Sequence, residues 1–243
     1  MNKAESIIDC IKKVIGQGSK EIYVHEPSFS QSNALSYIED CINSGWVSSA
    51  GEWVSRFEDL ISKYTGAKYA IAVNNGTSAL HAALSFYNIG PGDEVIVPTL
   101  SYISSANVIL YCGAKPVFCE CDPKTFNVEP KHIIEKITKK TKAIITVDLK
   151  GMPVNYDKIK KEIKKYNLPL ISDSAEAFGS IYKNKKVGSQ FDFHSFSFFA
   201  NKNMTLGEGG LVTTNETKIA NFLKIFRNQG QQGRYNHTYV GNN

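Results

Sequence analysis

Three short stretches of the chain carry groups that can do chemistry. In FSFFANKNMTLGEGG, residues 196–210, Lys202 ends an aromatic run and opens a glycine-rich turn, with Ser197 five residues before it. An amine at the junction of core and turn can serve as nucleophile or proton carrier if burial keeps it partly uncharged. In LPLISDSAEAFGS, residues 168–180, Asp173 follows directly on an apolar run and Glu176 comes three residues later. A carboxylate so placed is costly to desolvate unless a cation or a donor meets it. In VNNGTSALHAAL, residues 73–84, the chain turns at Gly76 and Thr77 and Ser78 begin a helical pattern. A glycine turn into a helix N-terminus leaves backbone N–H groups beside the positive end of the dipole, a natural anion site.

Each stretch also has a plainer reading. Lys202 could sit on a surface loop, Asp173 could cap a helix with Glu176 as its box partner, and Gly76–Ser78 could be an ordinary capped turn. Ser197 could be a small residue tucked between strands. Taken jointly, a phosphate cradle, an acid and an amine match the needs of pyridoxal 5′-phosphate (PLP). The amine holds the aldehyde, the carboxylate keeps the pyridine nitrogen protonated, and the helix end with a hydroxyl holds the phosphate.

Elements that could position these groups are legible along the chain. Leu35, Ile38 and Ile42 mark a helix closed by Gly45, and Phe57, Leu60, Ile61 and Tyr64 mark a second. Strands are expected at Tyr69–Asn74, Glu94–Pro98, Pro116–Glu120, Lys142–Leu149, Leu168–Ser172, Ser195–Phe199 and Gly210–Thr214. Helices are expected at Thr77–Tyr87, Ser104–Tyr111, Pro130–Ile137 and Tyr156–Tyr166. Strands spaced by helices imply a three-layer α/β/α fold around a mostly parallel sheet of about seven strands, with ligands at the carboxyl ends of the strands.

Composition narrows the class. The 243 residues are 42% hydrophobic and 21% charged, as in a soluble globular protein. A net charge of +5 is mild, and its lysines lie on amphipathic patches without interleaved aromatics, which argues against nucleic acid. Five cysteines, an odd number without regular spacing, suit neither a disulfide scaffold nor a zinc site. No apolar run is long enough for a membrane span. Residues 1–24 read as an amphipathic helix and lead-in, with Ile7, Ile8, Ile11, Val14 and Ile15 on one side, and not as a signal peptide. Cytoplasm is the expected compartment.

The chain resembles the DegT/StrS-type sugar aminotransferases, a branch of the fold-type I PLP enzymes. The resemblance runs through HEPSFS (25–30), GWVSSAGEWVSRFE (45–58), NNGTSALHAAL, PGDEVIVPTLSYISSANVILYCGAKPVF (91–118), DPKTFNVEP (122–130), SDSAEAFGSIYKNKKVGS, the Lys202 stretch and FRNQGQQGRYNH (226–237). It implies that Lys202 carries the cofactor aldehyde and Asp173 partners the ring nitrogen. Gly76, Thr77, Ser78 and Ser197 would hold the phosphate, and Tyr102 would stack on the ring. Glu176 would approach the ring hydroxyl, where many relatives have Gln and a carboxylate would be repelled. Trp46 and Ser48 would help bind sugar, across a homodimer interface. The implied reaction passes an amino group from glutamate to a nucleotide-linked (UDP or GDP) keto sugar, a 4-keto hexose, for surface glycans. Related dehydratases have histidine at the lysine position, so Lys202 favours transamination.

Two departures stand out. Asp148 in DLKGMP replaces the histidine of the family pattern H-L-x-G-x-P. The family also continues past the motif matched by Gly241-Asn242-Asn243 into a small C-terminal domain. The expectation is therefore a PLP-binding large domain over residues 25–243 without the small domain. The alternative is a catalytically inactive or weakly binding fragment of that domain.

Overall fold

The computed structural model describes residues 2–15, 27–49, 51–233 and 235–242. His25 and Glu26 of HEPSFS lie outside them, as do residues 16–24, the whole lead-in after the first helix. In chain order the elements are α1 (Lys3–Ile15), α2 (Ala34–Ser44), α3 (Glu52–Thr65), β1 (Tyr69–Val73), α4 (Gly76–Phe86), β2 (Glu94–Pro98), α5 (Ser104–Tyr111) and β3 (Lys115–Cys119). They continue with α6 (Pro130–Ile134), β4 (Thr141–Val147), α7 (Tyr156–Ile163), β5 (Leu170–Asp173), β6 (Ile181–Tyr182), β7 (Lys185–Lys186), β8 (Phe193–Ser197), β9 (Gly210–Thr214) and α8 (Thr217–Phe226).

Seven strands form one sheet in the order β1-β9-β8-β5-β4-β2-β3. Of the seven strands only β9 runs against the others, so the sheet is mostly parallel as expected. Alternation along the strands feeds two cores. Val95, Val97, Ala143, Ile145 and Ile171 pack with α4, α5 and α8 on one face. Ile96, Ile144, Leu170, Phe196 and Leu211 pack with α7 and Ile61 of α3 on the other. A strand that is apolar on both faces must be covered on both, which is what makes three layers.

Two elements were not expected. The β6–β7 hairpin has strands too short to show a period-two pattern; its turn puts Lys183 and Asn184 at φ 47° and 64°, as a type I′ turn requires. Helix α8 buries Ile219, Ala220, Leu223 and Phe226, residues at helical spacing. Its next residue, Arg227, donates to the Glu58 carboxylate of α3 and to Ala72 O of β1 at 2.7 Å, joining three elements. The apolar stripes expected on α1 and α2 are present, but Ile7, Ile8, Ile11, Val14, Leu35, Ile38 and Ile42 are all exposed.

Candidate active site

The two halves of the site come from how the central strands end. Hydrogen bonding aligns Val147 of β4 with Asp173 of β5, Asp173 with Ser195 of β8, and Ser197 with Gly210 of β9. The carboxyl ends of β4, β5 and β8 and the start of α4 surround a cavity of about 300 Å³. Its walls include Gly76, Thr77, Tyr102, Asp173, Glu176, Ser197 and Lys202.

Asp173 is the last residue of β5 and is buried. No helix follows it, so the helix-cap reading fails. Its Oδ1 accepts from Ala175 N–H at 3.2 Å and its Oδ2 from the Ser105 hydroxyl at 2.6 Å. Ser105 in turn lies 2.7 Å from the Ser101 hydroxyl. Burial pushes the Asp173 carboxyl above the usual range; these two donors and the Lys202 charge oppose that, and Glu176 adds to it.

Lys202 lies on the loop joining antiparallel β8 and β9. Phe198 N–H bonds to Gly209 O at 2.9 Å, extending the ladder one step, and Lys202 N–H closes a turn on Phe199 O at 2.9 Å. The loop therefore folds back over the strand ends, and the lysine side chain is only 17% exposed. Its Nζ is 3.8 Å from Oε1 of Glu176, whose Oε2 accepts from Lys150 N–H at 2.7 Å. The extra carboxylate is thus turned toward an amine and an amide.

Helix α4 starts at Gly76, one residue earlier than expected, with Asn75 as its cap: Asn75 Oδ1 accepts from Ser78 N–H at 2.8 Å. A Cβ at Gly76 would lie 3.0 Å from the Ser197 Cβ, so glycine lets the helix end close against β8. At Gly210 a Cβ would overlap the Asn75 backbone itself. Gly210→Ala should then displace the turn that begins α4. The expected cost is about 1–3 kcal/mol of stability, read as a lower urea midpoint, together with weaker binding of phosphate-bearing ligands. An alanine variant with wild-type midpoint and affinity would contradict this packing.

The remaining expected residues distribute unevenly. Ser78 does not line the cavity, although its N–H is held at the cavity's helix end. Tyr102 lines it and is 73% exposed. Trp46 and Ser48 are exposed between α2 and α3 and are not part of the wall. Ser105, Ser101 and Asn75 were missed from the sequence. Ser105 touches Asp173 across 68 residues of chain, and nothing local marks such a contact.

Behind β5 lies a second polar cluster. His194 is fully buried, and its Nε2 accepts from Gln190 N–H at 3.2 Å and Phe191 N–H at 2.9 Å. Its Nδ1 therefore carries the proton and faces Ser174 Oγ at 2.9 Å. Burial holds its pKa down at about 3, with the nearby Lys160 charge adding to the effect. A group with a depressed folded pKa stabilises fully above its unfolded value and less as pH falls toward the folded one. Unfolding free energy should fall by about 2 kcal/mol between about pH 7 and pH 5 through this residue. His194→Gln should remove that component of the pH slope in urea titrations; an unchanged slope would refute it.

Residues 29–243 match the model of the DegT/DnrJ/EryC1/StrS aminotransferase family. The chain belongs to that family. Among its relatives, the GDP-perosamine synthase of Caulobacter vibrioides is 48% identical over 82% of this chain and 53% of its own length. The crystal structure of an aminotransferase from Psychrobacter cryohalolentis superposes with a TM-score of 0.87 at 36% identity, covering 91% of this chain and 60% of that one. A sugar-aminotransferase candidate from Streptococcus pneumoniae, solved in its PLP-form, gives 0.85 at 31% identity, covering 91% and 62%. The chain thus spans little more than half the length of the family members it matches.

Proposed function

We propose that the chain is the cofactor-binding part of a PLP-dependent aminotransferase that moves an amino group from glutamate to a nucleotide-linked keto sugar in glycan biosynthesis. One observation carries the reading: Lys202 and Asp173 line a single cavity together with the N-terminus of α4 and Ser197. The donor set fits PLP, offering an amine for the aldehyde, a buried carboxylate for the ring nitrogen, and a helix end with hydroxyls for the phosphate. The close approach of Gly76 to Ser197 brings the last two within one cradle.

When bound, PLP supplies an aldehyde that captures primary amines and a protonated ring that draws electrons from the carbon beside the captured nitrogen. Lys202 would hold it through Nζ and, once an incoming amine takes that place, carry the proton away from and back to the substrate carbon. Asp173 would present its carboxylate to the ring nitrogen, and the Ser105 hydroxyl and Ala175 N–H favour its ionised form against burial and aim it. Thr77 and Ser197 would hold the phosphate, with Ser78 beside them at the helix end but outside the cavity wall, and Tyr102 would cover the ring face.

The finer assignment is a 4-keto hexose of GDP or UDP; a relative named for a GDP-linked amino sugar supports the nucleotide class. A homodimer, with Trp46 and Ser48 reaching sugar across the subunit interface, and a cytoplasmic location belong to the same proposal. The test supplies PLP, glutamate and GDP- or UDP-linked 4-keto sugars to the purified chain and follows amino-sugar formation. Formation of the amino sugar is expected. Cofactor uptake without turnover supports the second reading, a binding scaffold; absence of uptake overturns both.

A further inference from the structure

One buried acid takes no part in this chemistry. Asp148, the residue after β4, is fully buried. Its Oδ1 accepts from Val154 N–H at 3.0 Å, and its Oδ2 from the hydroxyls of Tyr156 at 2.6 Å, Ser172 at 2.9 Å and Ser174 at 2.6 Å. All four donors are neutral. A carboxylate buried among neutral donors is tolerated only where those donors are held firmly, and desolvation pushes its carboxyl upward against them.

Alternation along the strands fixes the direction in which it acts. Val147 and Leu149 line the cavity while Asp148 does not, and Asp173 and Ala175 line it while Ser172 and Ser174 do not. Asp148 therefore grips the back of the two strand ends whose front forms the site. Its own N–H also bonds the Asp173 carbonyl at 2.9 Å. Through Val154 the same carboxylate closes the turn that holds Lys150 at φ 53°. That residue's N–H is the one that anchors Glu176 beside Lys202.

We propose that Asp148 is a positioning residue for the candidate site, fixing the backbone that aims Asp173 and the turn that holds Glu176. The inference rests on the proposed reading of the cavity and gives a task to the residue that departs from the family pattern. Asp148→Asn keeps the shape but turns an N–H₂ group into a ring of donors. In the cofactor-free chain, amide exchange at Lys150 and Ala175 should rise on the order of tenfold more than at Ile96 and Val212 in the sheet. The dissociation constant for PLP should rise by about tenfold as well. Ile159→Val, which thins the neighbouring core without touching the network, should change neither. A folded Asp148→Asn chain with wild-type exchange at both amides and wild-type PLP affinity overturns the proposal. If that variant does not fold, Ser174→Ala removes one donor instead, and wild-type exchange and affinity in that chain overturn the proposal equally. A wild-type chain that takes up no PLP sinks the proposed function instead, and the exchange pattern, read without cofactor, still decides the role of Asp148.

Discussion

Lys202→Ala is expected to abolish covalent capture of the cofactor: no visible absorption from a lysine-bound aldehyde, no borohydride-fixed PLP on the peptide containing residue 202, and turnover lower by roughly 10³-fold or more. The size follows from the two roles proposed for one atom, attachment point and proton carrier. The substitution should leave the fold standing. Lys202 sits on the β8–β9 loop, and its 3.8 Å approach to Glu176 is a partly exposed pair of small energetic value. Glu176 keeps its bond from Lys150 N–H when the amine is gone. A wild-type urea midpoint with lost capture is thus the expected pair of results. Capture persisting in the alanine variant, on another lysine, would end the assignment.

Asp173→Asn should lower turnover on the order of 10²–10³-fold, the usual cost of deleting one preorganised electrostatic partner. It should disturb binding less, since the cradle at α4 and the attachment at Lys202 remain. Asparagine matches the carboxylate in shape; its one oxygen can keep the Ala175 N–H, and its N–H₂ group then faces the Ser105 hydroxyl, which can turn its proton to Ser101 and accept. Because burial raises the Asp173 carboxyl, its ionised form costs folding free energy, and the neutral amide should hold stability level or raise it. Lost turnover with undiminished stability is what separates a group held for chemistry from one held for structure. A variant within tenfold of wild-type turnover would remove Asp173 from the mechanism.

The legible part of this fold was local. Strand β4 announces itself in Ala143-Ile144-Ile145 because a central strand needs apolar side chains on both faces, and α4 does so through Ala79, Leu80, Ala82 and Ala83. The β6–β7 hairpin escaped because two-residue strands carry no period. That α2 forms but leaves Leu35, Ile38 and Ile42 exposed was equally invisible, since spacing predicts a helix and says nothing about what covers it.

At the site the same division holds. The residue types at 76–78, 173, 197 and 202 follow from the chain alone, because each stands where an apolar run stops and a polar group must find a partner. What meets them was decided by the sheet. The insertion of β9 between β1 and β8 sets Gly210 against Asn75, and the burial of α5 sets Ser105 on Asp173. The order of the strands also puts Asp148 behind the pair it steadies. Propensity and periodicity act over a few residues, whereas these contacts join segments tens of residues apart, and only packing of the whole sheet makes them neighbours.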